Sequence, residues 1–296
     1  MMLVTGASGA LGGLILDRLG AVADLGVVAG TRAATGAARR IDFDDPTTLV
    51  GGFTGVRVLV FVSAGYAEDD VVLARHGAVV DAAATAGVRH VIYTSLAGSG
   101  DQLSIALAHR WTEARLAEAP FDVTVLRNGL YAEIPAGLAM SSAESAATTG
   151  VFTAPLGHGR VSVVAREDLA DVAARVAVET QADLAAGQRS RHAGRTYELA
   201  GATAIGGEDI AGVLAEVLGR PVTYQPVSLA QAREALAGGG LEPYQVSHTL
   251  SMFANTGAGL LESPGDDLAA LLPTPPRPAL ELICDALKAV VPLPAA

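Results

Sequence analysis

Short apolar runs alternate with longer Ala-, Leu- and Arg-rich stretches through the first 130 residues, and this alternation limits the possible folds more than any other feature. The runs at 2–4, 26–29, 56–63, 88–95 and 123–127 are apolar nearly throughout. Strands of a parallel sheet covered on both faces have that character. The stretches 11–19, 71–86 and 103–119 read as helices. In the second of these, Val72, His76, Val79, Val80 and Ala83 fall on one stripe close to helical period. Strands separated by helices of this length are joined by right-handed crossovers, so the expected class is α/β with a doubly wound parallel sheet.

The first run leads into Thr5-Gly6-Ala7-Ser8-Gly9-Ala10-Leu11-Gly12, a Gly-x-x-Gly-x-x-Gly turn that opens the first helix. Gly6 lets the chain turn sharply out of the strand. Gly9 brings bare backbone to a pyrophosphate, and Gly12 lets the helix pack closely. Free N–H groups and a partial positive charge at the helix start then face the phosphates. Residues Gly6, Ser8, Gly9, Ala10, Leu11 and Gly12 are therefore read as a dinucleotide site in a Rossmann-like sheet. A glycine-rich turn without ligand is the plainer alternative.

The second run ends in Gly30-Thr31-Arg32. A carboxylate there would hold the 2′-hydroxyl of NAD; Arg32 stands there instead, and a guanidinium fork suits the 2′-phosphate of NADP. Arg39 and Arg40 either assist or are solvated surface arginines. Asp42 and Phe43, at the end of the next short strand, are expected beside the adenine, while Asp44 or Asp45 caps a helix entered at Pro46. The small residues Ser63, Ala64 and Gly65 are expected to close over the middle of the cofactor.

The texture changes near Tyr131. Ser141 to Gly150 reads as a loop or a weak helix, 166–180 as a helix, 196–200 as one more strand, and 280–290 as a last helix behind a proline-rich loop. The expected organisation is a nucleotide-binding core over 1–132, to which 160–202 returns. A smaller, mostly helical capping region over 133–159 and 203–296 would bind substrate.

Composition removes several classes. The net charge of −11 argues against a nucleic-acid surface. No apolar run approaches the roughly 20 residues of a membrane span. Glycines at 6, 9, 12 and 13 interrupt the first apolar stretch, and no basic region precedes it, so no secretory signal is read and a cytoplasmic location is expected. The single cysteine, Cys284, excludes a disulfide framework, and no histidine pair has ligand spacing, so no metal is expected. The single lysine is Lys288. The residues four after the six tyrosines are Asp70, Ala97, Pro135, Gly201, Ser228 and His248, so no Tyr-x-x-x-Lys pair exists.

The segments TGASGALGG, GTR, DFDDP, FVSAG, HVIYTS, HRWTEARL and LRNGLY occur in the order and spacing of atypical short-chain dehydrogenases/reductases. The chain most resembles their NmrA-like branch, in particular its NADPH-dependent quinone reductases. The likeness continues through GVFTAPLGHGRVSVVAREDLADVAARV, TYELAG and GRPVTYQPVS and is weakest after Gly240. It implies a Rossmann-like sheet, NADP(H) in an extended pose, and a cleft between core and cap. In the family's alignment His109 takes the place of the catalytic tyrosine, Glu113 that of the lysine, and Ser95 that of the serine. The quinone-reductase branch also lacks the Tyr–Lys pair.

The resemblance assigns His109 and Tyr131 to the quinone oxygens, Asn128 to the nicotinamide end and Ser95 to the cofactor, with His109 able to donate a proton near neutral pH. Each has an ordinary alternative: a buried histidine beside Trp111, core packing, and turn residues. His158 reads as an exposed loop histidine, and His76 and His90 as structural. The expected activity is reduction of a quinone or similar small-molecule acceptor by direct hydride transfer. The alternatives are a non-enzymatic NADP-binding redox sensor, or a reductase of an azo dye or an unsaturated carbonyl. Monomer and homodimer both remain open.

Overall fold

Met2–Val4 (β1) is wholly buried and feeds the helix Ala10–Gly20 (α1). In the computed structural model, which describes residues 1–63, 67–262 and 267–290, the chain continues as Val27–Thr31 (β2), Arg39–Arg40 (β3), Thr47–Gly52 (α2), Val58–Phe61 (β4), Asp69–Thr85 (α3), His90–Leu96 (β5), Ala106–Ala117 (α4) and Asp122–Asn128 (β6). Leu130–Tyr131 (β7), Glu133–Thr149 (α5), Val151–Ala154 (β8), Arg160–Val164 (β9), Arg166–Ala185 (α6) and Thr196–Leu199 (β10) follow. The last third runs through Ala204–Gly206 (β11), Gly207–Leu218 (α7), Thr223–Pro226 (β12), Leu229–Gly238 (α8), Pro243–Gly257 (α9), Asp267–Leu271 (α10) and Ala279–Val290 (α11).

Seven strands form one parallel sheet in the order β10-β6-β5-β4-β1-β2-β3. The chain winds outward from β1 to β2 and β3, then returns to the other side of β1 and winds the opposite way. The carboxyl ends of β1 and β4 therefore flank the point where the winding reverses, which is where open α/β sheets bind ligands. Helices α1 and α6 cover one face, with Ile15, Leu19, Val172 and Val176 fully buried against Val4, Val58 and Leu126. The opposite face packs Leu49, Phe53, Val79, Val80 and Leu116 on Leu3, Leu59 and Val91. Each such aliphatic side chain contributes roughly 1.5–3 kcal/mol when removed from water.

The second half surrounds a separate apolar cluster that includes Ala139, Phe152, Leu214, Phe253 and Ile283. It contains two small sheets, β11-β9-β7 and β12-β8, as well as helices. Of the two readings of Ser141–Gly150, loop or weak helix, the structure takes the helix, as the second half of α5 and its cap: Ala136, Ala139, Ala143 and Ala146 form a buried stripe, Thr148 and Thr149 donate back to the carbonyls of Glu144 and Ser145, and Gly150 ends the helix at φ 73°. The strand expected to run to Asp42 is only Arg39–Arg40. Helix α10 packs beside α6 and β10: Leu268 and Leu271 join the α6 cluster, and Asp267 accepts from the Glu198 backbone N–H. Among the described residues no helix is long and apolar enough to cross a membrane.

Candidate active site

The glycine turn occupies the carboxyl end of β1. Gly6 has φ +60°, a conformation that favours glycine, and its carbonyl accepts from Gly9 N–H at 2.8 Å. A Cβ on Gly12 would stand 2.2 Å from the Gly6 oxygen, so this glycine is dictated by the turn itself. Thr5 locks the turn to β4: its Oγ1 accepts from Val62 N–H at 3.0 Å, and Ala7 N–H reaches the Gly30 carbonyl at 3.2 Å. No side chain caps α1 at Gly9. Gly6, Ser8, Gly9 and Ala10 are exposed, whereas Leu11 and Gly12 are buried. Ala7 and Gly9 N–H are used within the turn, and the exposed start of α1 beside them is an open shelf with room for an anion.

Arg32 is exposed at the end of β2 and makes no ion pair among the described residues, though its charge helps lower the pKa of Asp44 after the larger effect of Arg75. Arg75 of α3 grips Asp44 through Nε at 2.7 Å and an Nη at 3.0 Å. Arg39 is not available as its helper. It turns under the sheet edge and donates to the carbonyls of Gly52 at 2.8 Å and Thr54 at 2.7 Å. Arg40 lies 3.2 Å from Asp45. Asp42 is half-buried and accepts from Asp44 N–H at 3.1 Å, and Phe43 packs edge-on to Phe61. Neither Asp44 nor Asp45 caps α2 through its carboxylate. Pro46 is the N-cap, and Asp45 accepts instead from the Thr47 hydroxyl.

Ser63 follows β4, held by a 3.0 Å bond from its N–H to Thr94 Oγ1; Ala64 and Gly65 lie outside the described residues. Tyr93 sits opposite Phe61, the last residue of β4, so its neighbour His109 stands beside the same carboxyl edge. His109 Nδ1 is 3.0 Å from Tyr93 Oη, while Nε2 has no partner among the described residues. Burial, followed by the nearby Arg110 charge, pushes the His109 pKa down to about 4, so the imidazole is neutral at pH 7. The imidazolium acid expected from an ordinary histidine is removed by that desolvation.

The Ser95 hydroxyl turns inward and donates to Glu113. Glu113, in the lysine position, also accepts from Arg110 and from Arg127 at 2.7 Å, and Arg127 reaches Glu198 at 2.9 Å. Burial raises the Glu113 pKa, but the bonds from Arg127 and Ser95 and the charge of Arg110 outweigh it and leave the net shift downward. This carboxylate is an ionised hub that ties β5, β6 and α4 together, not a proton donor.

Asn128, at the end of β6, is 5% exposed, yet its Oδ1 has no hydrogen-bond partner. An unpaired buried amide oxygen costs about 1–3 kcal/mol. Tyr131 is half-buried with Arg166 over its ring at 4.8 Å, and burial raises its pKa. Helix α9 is tied to the segment before α4, where Ser104 N–H donates to Ser251 at 3.0 Å and Ser104 Oγ lies 2.7 Å from His248 Nδ1. His158 is 81% exposed and faces Glu208, away from these groups.

The chain is 35% identical over 252 residues to quinone oxidoreductase 2 of Escherichia coli (strain K12), covering 81% of this chain and 82% of that protein. It belongs to the NmrA-like family of atypical short-chain dehydrogenases/reductases. A solved structure of the NADPH-dependent quinone oxidoreductase from Escherichia coli, complexed with NADPH, superposes with TM-score 0.82 at 30% identity, over 96% of this chain and 99% of that one. Triphenylmethane reductase of Citrobacter sp., complexed with NADP(H), gives TM-score 0.83 at 27% identity, over 98% and 99%. No family model matches the chain.

Within this family member, sequence reasoning missed the Tyr93–His109 contact and the Glu113–Arg127–Glu198 network. Tyr93 lies in an apolar strand and reads as core. The three charged residues lie on three separate elements, and only the pairing of β6 with β10 and the approach of α4 to Arg127 unite them.

Proposed function

We propose that this chain binds NADPH and reduces a quinone or a similar conjugated acceptor by direct hydride transfer, without a tyrosine–lysine pair. The observation that carries this reading is the buried, unpaired Oδ1 of Asn128 at the carboxyl edge of the sheet, a vacant acceptor suited to the N–H of a carboxamide. The names of the relatives, quinone oxidoreductase and triphenylmethane reductase, support it.

The residues fit the cofactor in order. The exposed glycine turn from Gly6 to Ala10, at the start of α1, takes the pyrophosphate, Arg32 the 2′-phosphate, Asp42 and Phe43 the adenine side, and Asn128 the nicotinamide end. Bound NADPH supplies the hydride. The chain holds the acceptor against it, keeps water out with the cap, and offers hydrogen bonds from His109 and Tyr131 to the acceptor oxygens. His109, neutral at pH 7, acts as a hydrogen-bond donor. The hydride turns the quinone into a hydroquinone monoanion whose charge is spread over an aromatic ring, and its proton comes from solvent. Such an anion needs little acid assistance, which matches a site whose histidine stays uncharged.

The test is turnover of NADPH with a panel of quinones, followed by cofactor absorbance. Consumption with at least one quinone is expected. Tight NADPH binding without turnover on any acceptor overturns the enzymatic reading and leaves a sensor of the NADP redox state.

A further inference from the structure

Tyr93 is fully buried, its ring centroid 5.1 Å from Phe61 and 5.8 Å from His76, so packing fixes the direction of its hydroxyl. Among the described residues that hydroxyl meets hydrogen-bond geometry with one group, His109 Nδ1 at 3.0 Å. Thr112 stands close by, but its single proton goes to the Ala108 carbonyl at 2.7 Å and its oxygen already faces His76 Nδ1 at 2.7 Å. If Nδ1 of His109 carried the imidazole proton, the Tyr93 proton would have only the second lone pair of Thr112 Oγ1 to turn to, a group that influences the Tyr93 hydroxyl but lies outside good hydrogen-bond geometry with it. Buried donors are rarely left so. Tyr93 therefore donates to Nδ1. A neutral imidazole has one N–H, so it lies on Nε2, the nitrogen without a partner among the described residues.

We propose that Tyr93 is a positioning residue that locks His109 in its Nε2–H tautomer and aims that N–H at the acceptor oxygen. The inference rests on the proposed contact between His109 and the acceptor, and it makes specific what replaces the missing family tyrosine. The donor is an imidazole N–H held from behind by a core tyrosine, and it undergoes no net change of protonation during the reaction. The same logic underlies buried second partners that set the tautomer of other working histidines.

The test uses the full chain with NADPH bound. Nitrogen–proton correlation NMR of the histidine side chains, with His109 assigned by its absence in His109→Gln, is expected to show a single Nε2–H tautomer at neutral pH. In Tyr93→Phe, which keeps the ring and its packing, the His109 signals are expected to move to a tautomer mixture. Its kcat is expected to fall about tenfold, as for one weakened hydrogen bond, while KM for NADPH is unchanged. A tautomer shift is not produced by loss of packing alone.

An Nδ1–H signal in the wild-type protein overturns the inference, and that measurement needs no variant to fold. Wild-type kcat in Tyr93→Phe overturns it too, provided His109→Ala is slow. If His109→Ala itself turns over normally, the His109–acceptor contact fails, and that outcome is distinct from a failure of the tautomer lock.

Discussion

Two histidines in this chain meet a tyrosine hydroxyl through Nδ1, near opposite ends of the same sheet, and they differ in what the other nitrogen does. Near the amino ends of β6 and β10, His192 Nδ1 lies 2.8 Å from Tyr197 Oη, and its Nε2 closes on Glu179 at 2.8 Å. Its carbonyl accepts from Thr124 and its N–H donates to Ser190. Every polar atom of that residue is used inside the chain. By the carboxyl end of β4, His109 makes the matching bond to Tyr93, and its Nε2 has no partner among the described residues. A histidine with both nitrogens satisfied pins the loop before β10. A histidine with one nitrogen open has something left to offer a ligand. The amino end of the sheet should therefore govern stability, and the carboxyl end binding and turnover.

Acid offers the largest test of that division. Burial pushes the pKa values of His76, His90 and His109 down from 6.5 to about 3, 4 and 4. Their folded forms stay neutral while the unfolded chain takes up protons, so the stability they provide is complete above pH 6.5 and is lost as pH falls toward 4. Each contributes up to ~1.4 kcal/mol per pH unit in that window, about 4 kcal/mol together. Urea unfolding between pH 7 and pH 5 should show a steep loss. His90, near the amino end with a buried Nδ1 that has no partner, sharpens the test. His90→Gln should flatten the acid limb and leave quinone turnover unchanged.

His192→Ala comes next. It removes a buried ring and leaves Tyr197 and Glu179 without their partner, at a cost of about 3 kcal/mol read from thermal or urea unfolding. Turnover at a temperature where the variant remains folded should match wild type. A change in kcat would break the division between the two ends. At the other end, Gly12→Ala forces a Cβ against the Gly6 carbonyl and should weaken NADPH binding about 100-fold by opening the turn, measured by titration calorimetry.

The same contrast explains what could be read from sequence. The glycine turn and the buried strands are local, and each residue's role follows from its neighbours in the chain. Helix α5 was obscured because Ser and Thr mask an alanine stripe that matters only once Phe152 and Leu214 pack against it. Arg39 looked free because its acceptors are the carbonyls of Gly52 and Thr54, which no side-chain pattern announces. Asn128 and His109 were named through family resemblance. The orphaned oxygen of the first and the lowered pKa of the second exist only after folding, since burial creates both. Tyr93 was hidden by its own packing.

The smallest expected effect separates two arginines on the same side of the glycine turn. Arg32 is exposed and makes no ion pair among the described residues, whereas Arg39 is anchored by two backbone carbonyls and touches the Met1 sulfur. If Arg32 recognises the 2′-phosphate, Arg32→Ala should raise the Kd for NADPH about tenfold, the worth of one exposed charge-assisted contact, and leave that for NADH unchanged. Arg39→Ala should leave the NADPH-to-NADH ratio alone and lower the melting temperature, because its loss strands carbonyls at the end of α2. Arg40, held by Asp45, should behave as neither. An unchanged ratio in Arg32→Ala would remove the 2′-phosphate from β2. A changed ratio in Arg39→Ala would mean that its carbonyl bonds give way when cofactor binds, and that this edge of the sheet serves binding more than its packing indicates.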